Sequence, residues 1–133
     1  MIVNKKRARL WVIPVCLALF VMILFRYVFL IGYVPTASME PTIGEGSYVL
    51  GTRVFGSPEK EDVIIFQHEG KLMVKRVAAV PGDVVRWNNE TMIVPEGYYY
   101  VLGDNRAVSF DSRYWEEPFV NREDVVAKLL KPH

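Results

Sequence analysis

Leu72-Met73-Val74-Lys75-Arg76-Val77-Ala78-Ala79-Val80-Pro81-Gly82-Asp83 is the stretch on which the fold turns. It is apolar except for two adjacent cations and runs into a Pro-Gly-Asp turn, as a strand does. Under strand alternation Lys75 shares its face with Met73, Val77 and Ala79, while Arg76 points the other way with Val74 and Ala78. Such apolar flanks desolvate the Lys75 ammonium unless the long side chain snorkels out to water. Arg76 is permanently charged, so it must find a carboxylate or reach solvent.

Working outward, the same texture recurs. Ser47 to Arg53, Val63 to His68, Lys71 to Val80, Val84 to Trp87, Thr91 to Val94 and Tyr98 to Leu102 are rich in Val, Ile, Tyr and Met. Turn residues separate them: Gly44 and Gly46, Gly56-Ser57-Pro58, Glu69-Gly70, Pro81-Gly82-Asp83, Asn88-Asn89 and Pro95-Glu96-Gly97. Asn88-Asn89 suits a tight hairpin, because asparagine tolerates positive φ. This spacing predicts a mainly β domain, a compact, antiparallel, partly closed sheet. Only Arg122 to Lys131 has the Leu/Ala content of a helix after the amino-terminal region.

That amino-terminal region differs in kind. Lys5, Lys6, Arg7 and Arg9 precede a charge-free run from Leu10 to Phe25, and the first acidic residue is Glu40. The run spans about 24 Å as a helix, slightly short of a hydrocarbon core of about 30 Å. Arg26 can snorkel, and Tyr27, Phe29 and Tyr33 suit an interface, which extends the span to Ile31. Pro14 is expected in the first turns, where it disturbs a helix least. The reading is therefore a cytoplasmic basic tail over 1–9, a single transmembrane anchor over 10–31 and an extracytoplasmic domain over 32–133, oriented by the basic residues on one side. A cleaved secretory signal is the rival, but the apolar stretch is long for one and Pro35-Thr36-Ala37 is a poor cleavage site. A buried helix of a soluble protein has difficulty with four clustered cations and no polar face.

Composition excludes several chemistries. The 133 residues, 51% of them hydrophobic, make one small domain and are too apolar for a disordered chain. Cys16 is the single cysteine and there are two histidines, which leaves no disulfide framework and no Cys-based or three-His metal site. No metal or cofactor is implied. All fifteen acidic residues, but only eleven of the sixteen basic ones, follow Arg26, so the body is acidic and carries no stripe suited to nucleic acid.

Three segments concentrate reactive groups. In Val34-Pro35-Thr36-Ala37-Ser38-Met39-Glu40-Pro41-Thr42 the two prolines are expected to hold the backbone extended around Ser38, a nucleophile or simply a loop hydroxyl. A serine needs a base, and His68, beside Glu69-Gly70, reads as a solvated residue at a hairpin tip. A lysine serves if burial pulls its pKa well below about 10.4, and Lys75 is the one with apolar flanks. The third segment, Gly103-Asp104-Asn105-Arg106-Ala107-Val108-Ser109-Phe110-Asp111-Ser112-Arg113, has the short polar side chains of a rigid hydrogen-bonded loop. It is either an elaborate turn or a support that orients a base and neutralises Arg76.

Ser38-Met39-x-Pro41-Thr42, then Lys75-Arg76-Val77 leading to Pro81-Gly82-Asp83, then Gly103-Asp104-Asn105-Arg106 through Ser109, Asp111, Ser112 and Arg113, resembles the ordered signature of bacterial type I signal peptidases. With the amino-terminal span the likeness covers nearly the whole chain. It implies Ser38 as nucleophile and Lys75 as general base. It further implies an oxyanion hole from the Ser38 N–H and the Thr36 hydroxyl, and Ser109 as the residue orienting the lysine. Asp104 would pair with Arg76, and Asp111 with Arg113, as supports; Met39 and Ile43 would line a shallow pocket for small side chains. The implied partners are secreted preproteins cut after an A-x-A pattern, and the lipid bilayer. Residues 84 to 103 leave no room for the large inserted cap of many members, and Ala79 stands where glycine is frequent. Two other classes compete: a catalytically silent membrane-tethered assembly factor, which would be expected to lose Ser38 or Lys75, and a self-cleaving repressor-type protease, for which a DNA-binding segment is missing.

Overall fold

A computed structural model describes residues 5–130. Helix α1 spans Lys5–Tyr27, about 34 Å of helix, and none of its side chains is buried. It is long and apolar enough to cross a membrane. It begins before Leu10, so Pro14 sits in its interior rather than its first turns. It also ends four residues short of Ile31, because Phe29 to Val34 pair in a sheet. Of the basic tail, Met1 to Asn4 lie outside the described residues, as do Lys131 to His133 at the other end.

The rest is antiparallel. Strands β1 (Phe29–Val34), β2 (Ser47–Thr52), β3 (Val63–His68), β4 (Lys71–Ala79), β7 (Tyr98–Leu102), β8 (Val120–Asn121) and β9 (Val125–Leu129) form one sheet in the order β1-β2-β9-β3-β4-β7-β8. A separate two-stranded hairpin is made by β5 (Val84–Trp87) and β6 (Glu90–Ile93). Asn88 and Asn89 turn that hairpin with φ of 48° and 65°, the positive values a tight two-residue turn requires. Glu69 and Gly70 do the same between β3 and β4.

The carboxy-terminal segment corrects the sequence reading. Arg122–Asp124 is a single 3-10 turn, and Val125–Leu129 is a strand inserted between β2 and β3. Its Val125, Ala127 and Leu129 are buried while Val126 and Lys128 are half-buried, an alternation with period two. As a strand it pairs with both β2 and β3, bonds a helix would forgo, so tertiary pairing outweighs the helical propensity of Ala, Lys and Leu.

Strand β3 shows where the core lies. Val63, Ile64, Ile65 and Phe66 are all buried, so both faces of the sheet are covered. Ile64 and Phe66 pack with Val77, Tyr99, Val101, Trp115, Val120 and Val125 on one face. Val63 and Ile65 pack with Val34, Met39, Ile43, Ala127 and Leu129 on the other. Strand β4 runs between these layers and places the side chains of the site.

Candidate active site

Lys75 is on β4, opposite Ile64 of β3, and only 4% of it is exposed. The alternation read from the sequence holds through Val77, which is buried with the half-buried Met73 in one core layer; the register then shifts, and the buried Ala79 packs in a separate cluster with Val94 and Tyr100. Burial pushes the Lys75 amine below its ordinary value, against an opposing pull from the charge of Asp111. Its Nζ lies 2.7 Å from Ser38 Oγ, across 37 residues of chain. An amine without its third proton can accept the serine proton over that distance.

Ser38 is 7% exposed and does not sit in extended backbone as the flanking prolines suggested. The segment is a run of turns, closed by bonds from the Glu40 N–H to Ala37 O at 3.1 Å and from the Ile43 N–H to Met39 O at 2.9 Å. These bonds, together with a clamp from a distant loop, override the extended bias, and the Glu40–Pro41 peptide is cis. Thr36 Oγ1 comes within 3.3 Å of Ser38 Oγ, so the hydroxyl expected at the oxyanion hole stands beside the nucleophile.

The loop after β7 clamps this turn. The backbone N–H of Asn105 donates to Ser38 O at 2.9 Å, and its side-chain amide donates to Ala37 O at 3.1 Å. The Asn105 role was not read from the sequence, although the residue lies inside the polar motif. Gly103 was also missed. A Cβ there would overlap Ser109 Oγ and approach Ser38 O to 2.6 Å, so the close approach of loop and turn requires glycine. Ser112 ties the loop to β7, its Oγ accepting the Val101 N–H at 3.0 Å.

Both expected ion pairs form. Arg76 donates through Nε and Nη2 to the two oxygens of Asp104, each at 2.8 Å, and through Nη1 to Glu61 O at 2.7 Å. The paired guanidinium holds the Asp104 carboxyl below the usual range. Asp111 is fully buried. Burial alone would raise its pKa, but the Arg113 guanidinium and the Gly103 N–H, bonded at 2.9 Å and 3.0 Å, outweigh it and keep it low.

Three expectations change. Ser109 Oγ is buried without a hydrogen-bond partner among the described residues, so it does not bond to Lys75; the loop seats it against Gly103 instead. Met39 and Ile43 are buried in the core and do not line the groove, because the turn after Ser38 folds them under the sheet. His68 is not simply solvated, since its ring stacks on Trp115 at 3.9 Å.

The groove beside the pair encloses about 460 Å³. It is lined by Tyr33 to Thr36, Ser38, His68, Glu69, Lys71 to Lys75 and Phe110. Strand β4 is paired with β3 along its whole length here, but β7 joins it only from Arg76 onward. Residues 71–75 therefore present a free backbone edge to the groove.

The chain matches the family model described as "Signal peptidase, peptidase S26" over residues 7–94 and 87–132. It is 33% identical over 118 residues to a probable thylakoidal processing peptidase 2 of Arabidopsis thaliana, an alignment covering 62% of this chain and 32% of the relative. It is 29% identical to a probable signal peptidase I-2 of Synechocystis, covering 74% and 60%. It is 26% identical to signal peptidase IB of Staphylococcus aureus, covering 94% and 88%. The chain thus spans about a third of the Arabidopsis relative and most of the Staphylococcus one. Ser38, Lys75 and the loop that clamps them fall inside the matched residues, and the chain belongs to the S26 family of signal peptidases.

Proposed function

We propose that the chain is a membrane-anchored serine endopeptidase that removes amino-terminal signal peptides from secreted preproteins after small residues in an A-x-A pattern. The observation that carries this reading is the contact between Ser38 Oγ and the buried amine of Lys75 at 2.7 Å, at the end of an open groove. Relatives named signal peptidase I supply the substrate class.

The substrate strand joins the free edge of β4 and presents its scissile carbonyl to Ser38. Lys75 Nζ takes the Oγ proton as Oγ attacks the carbonyl carbon. The Ser38 N–H and the Thr36 hydroxyl hold the oxyanion, each such donor being worth about 3 kcal/mol in comparable sites. Ser109 Oγ, buried and without a partner among the described residues, is available to receive an N–H of the ammonium that forms. Lys75 returns the proton to the leaving amine as the C–N bond breaks, leaving an acyl ester on Ser38. Water, deprotonated by Lys75, then attacks that ester and frees Ser38.

Anchoring follows from the short joint between α1 and β1. The exposed Ile31 and Tyr33 of β1 lie opposite Leu50 and Tyr48 of β2, an apolar patch one strand away from the helix end and contiguous with the groove through Tyr33. This patch rests in the bilayer interface, with the basic tail cytoplasmic and the sheet on the opposite face, at the depth where a translocating signal peptide presents its cleavage site.

Incubation of the full chain in lipid or detergent with a preprotein bearing an A-x-A site tests the reading. Cleavage by wild type and none by Ser38→Ala or Lys75→Ala is expected. Retained cleavage in either variant rejects the dyad, and no cleavage by wild type favours a tethered, non-catalytic factor.

A further inference from the structure

The two walls of the groove are unlike. Val74 faces the layer containing the fully buried Met39 and the buried Ile43, so the space behind that wall is filled. Met73, the register partner of Phe66, packs against the other layer, which contains Trp115. Above this second wall stands an aromatic series that no step of the mechanism uses. Phe110, 58% exposed, meets Trp115 edge-on at 6.5 Å and lies parallel to the exposed Tyr114 at 6.2 Å. Trp115 in turn carries His68 stacked at 3.9 Å. Phe110, Met73 and His68 all border the groove that holds Ser38 and Lys75.

We infer that this aromatic wall is a specificity subsite for the residue between the two small ones of the cleavage pattern, and that it favours a bulky apolar or aromatic side chain there. The inference rests on the endopeptidase reading of the groove. A strand seated on the edge of β4 turns alternate side chains to opposite walls. The two small residues are two apart and share a face; the filled Val74 wall, which offers no depth, accommodates them. The residue between them faces Met73 and Phe110, where exposed ring surface is uncovered and a substrate side chain can stack on it.

Two peptides differing only at that residue, Ala-Phe-Ala and Ala-Gly-Ala before the cut, test the inference with the full-length protein in detergent. Wild type is expected to cleave the phenylalanine peptide with kcat/KM about five-fold higher, the yield of one exposed aromatic stack. In Phe110→Ala the ratio falls to within about two-fold of unity. In Phe110→Lys the preference moves to a peptide with glutamate in the middle. Near-ultraviolet circular dichroism identifies variants that keep the fold. A wild-type ratio at or below unity overturns the subsite, as does a Phe110→Ala that slows both peptides equally and keeps the ratio, which is what a merely structural cluster would do. Cleavage of neither peptide by wild type, or of both by Ser38→Ala, refutes the endopeptidase reading itself and is distinguishable from those results.

Discussion

Replacing Lys75 by methionine should abolish activity and yet raise stability, by an amount that depends on pH. In the folded chain the amine is 4% exposed, and the one charge that favours its protonated form, Asp111, is already committed to Arg113. The folded pKa is therefore lower than the unfolded one. Below the folded pKa both states carry the ammonium, and the native state bears the full cost of burying it. Between the folded pKa and the unfolded value the unfolded chain binds more protons, so wild-type stability climbs as pH rises, by about 1.4 kcal/mol per pH unit. Methionine fills similar volume without charge and has no such dependence; it forgoes the bond to Ser38 Oγ, about 1 kcal/mol. Melting of the β domain, followed by the fluorescence of the buried Trp115, should show Lys75→Met ahead of wild type at low pH. The gap closes by about 5–10 °C per pH unit through the window, for a domain of about 100 residues. Wild-type kcat/KM should rise through the same pH range as the base loses its proton. A melting difference that stays constant from pH 5 to 10 would show that the amine is not depressed, and the proposed base would lose its physical basis.

Three further outcomes follow from the loop around Ser38. Gly103→Ala forces apart the loop and the Ser38 turn, and kcat/KM should fall by at least about 100-fold, with melting lowered by about 1–3 kcal/mol; near-normal turnover would mean that the two segments need not touch. Asn105→Ala loses the bond to Ala37 O but keeps the backbone bond to Ser38 O, so kcat should drop about ten-fold with KM little changed, and a change confined to KM would point to substrate contact instead. A double-mutant cycle of Arg76→Met and Asp104→Asn, read by denaturant unfolding, should give a coupling of about 1–3 kcal/mol for this mostly buried, two-bond pair, and simple additivity would mark it as energetically idle.

Much of the site was legible because its clues are local. A lysine with apolar residues at every second position is either buried or snorkels to water, and its flanks mark it out before the pairing decides between the two. Arg76, a permanent charge among apolar neighbours, announces a partner, and the polar loop 103–113 offers carboxylates; the pairings of Arg76 with Asp104 and of Asp111 with Arg113 are those the resemblance implied. Asn105 and Gly103 escaped notice because their roles consist of contacts to Ala37 and Ser38, more than sixty residues earlier in the chain. Met39 and Ile43 look like pocket walls by proximity to Ser38, but proximity along the chain says nothing about which side of a turn a side chain takes.

The sequence by itself determined the division into an apolar amino-terminal helix and a β body, the positions of most strands and turns, and the apolar flanks that single out Lys75. Those follow from periodicity, φ preferences and hydration, which act within a few residues. Only the tertiary structure decided that residues 125–129 are a central strand, that Phe29 begins the sheet rather than continuing the anchor, and that the Ser38 segment is a turn. In each case a long-range pairing or a clamp from a distant loop outweighed a local preference worth less than about 1 kcal/mol per residue. The 2.7 Å contact between Ser38 and Lys75 is of the same kind: each residue is prepared locally, and the sheet brings them together.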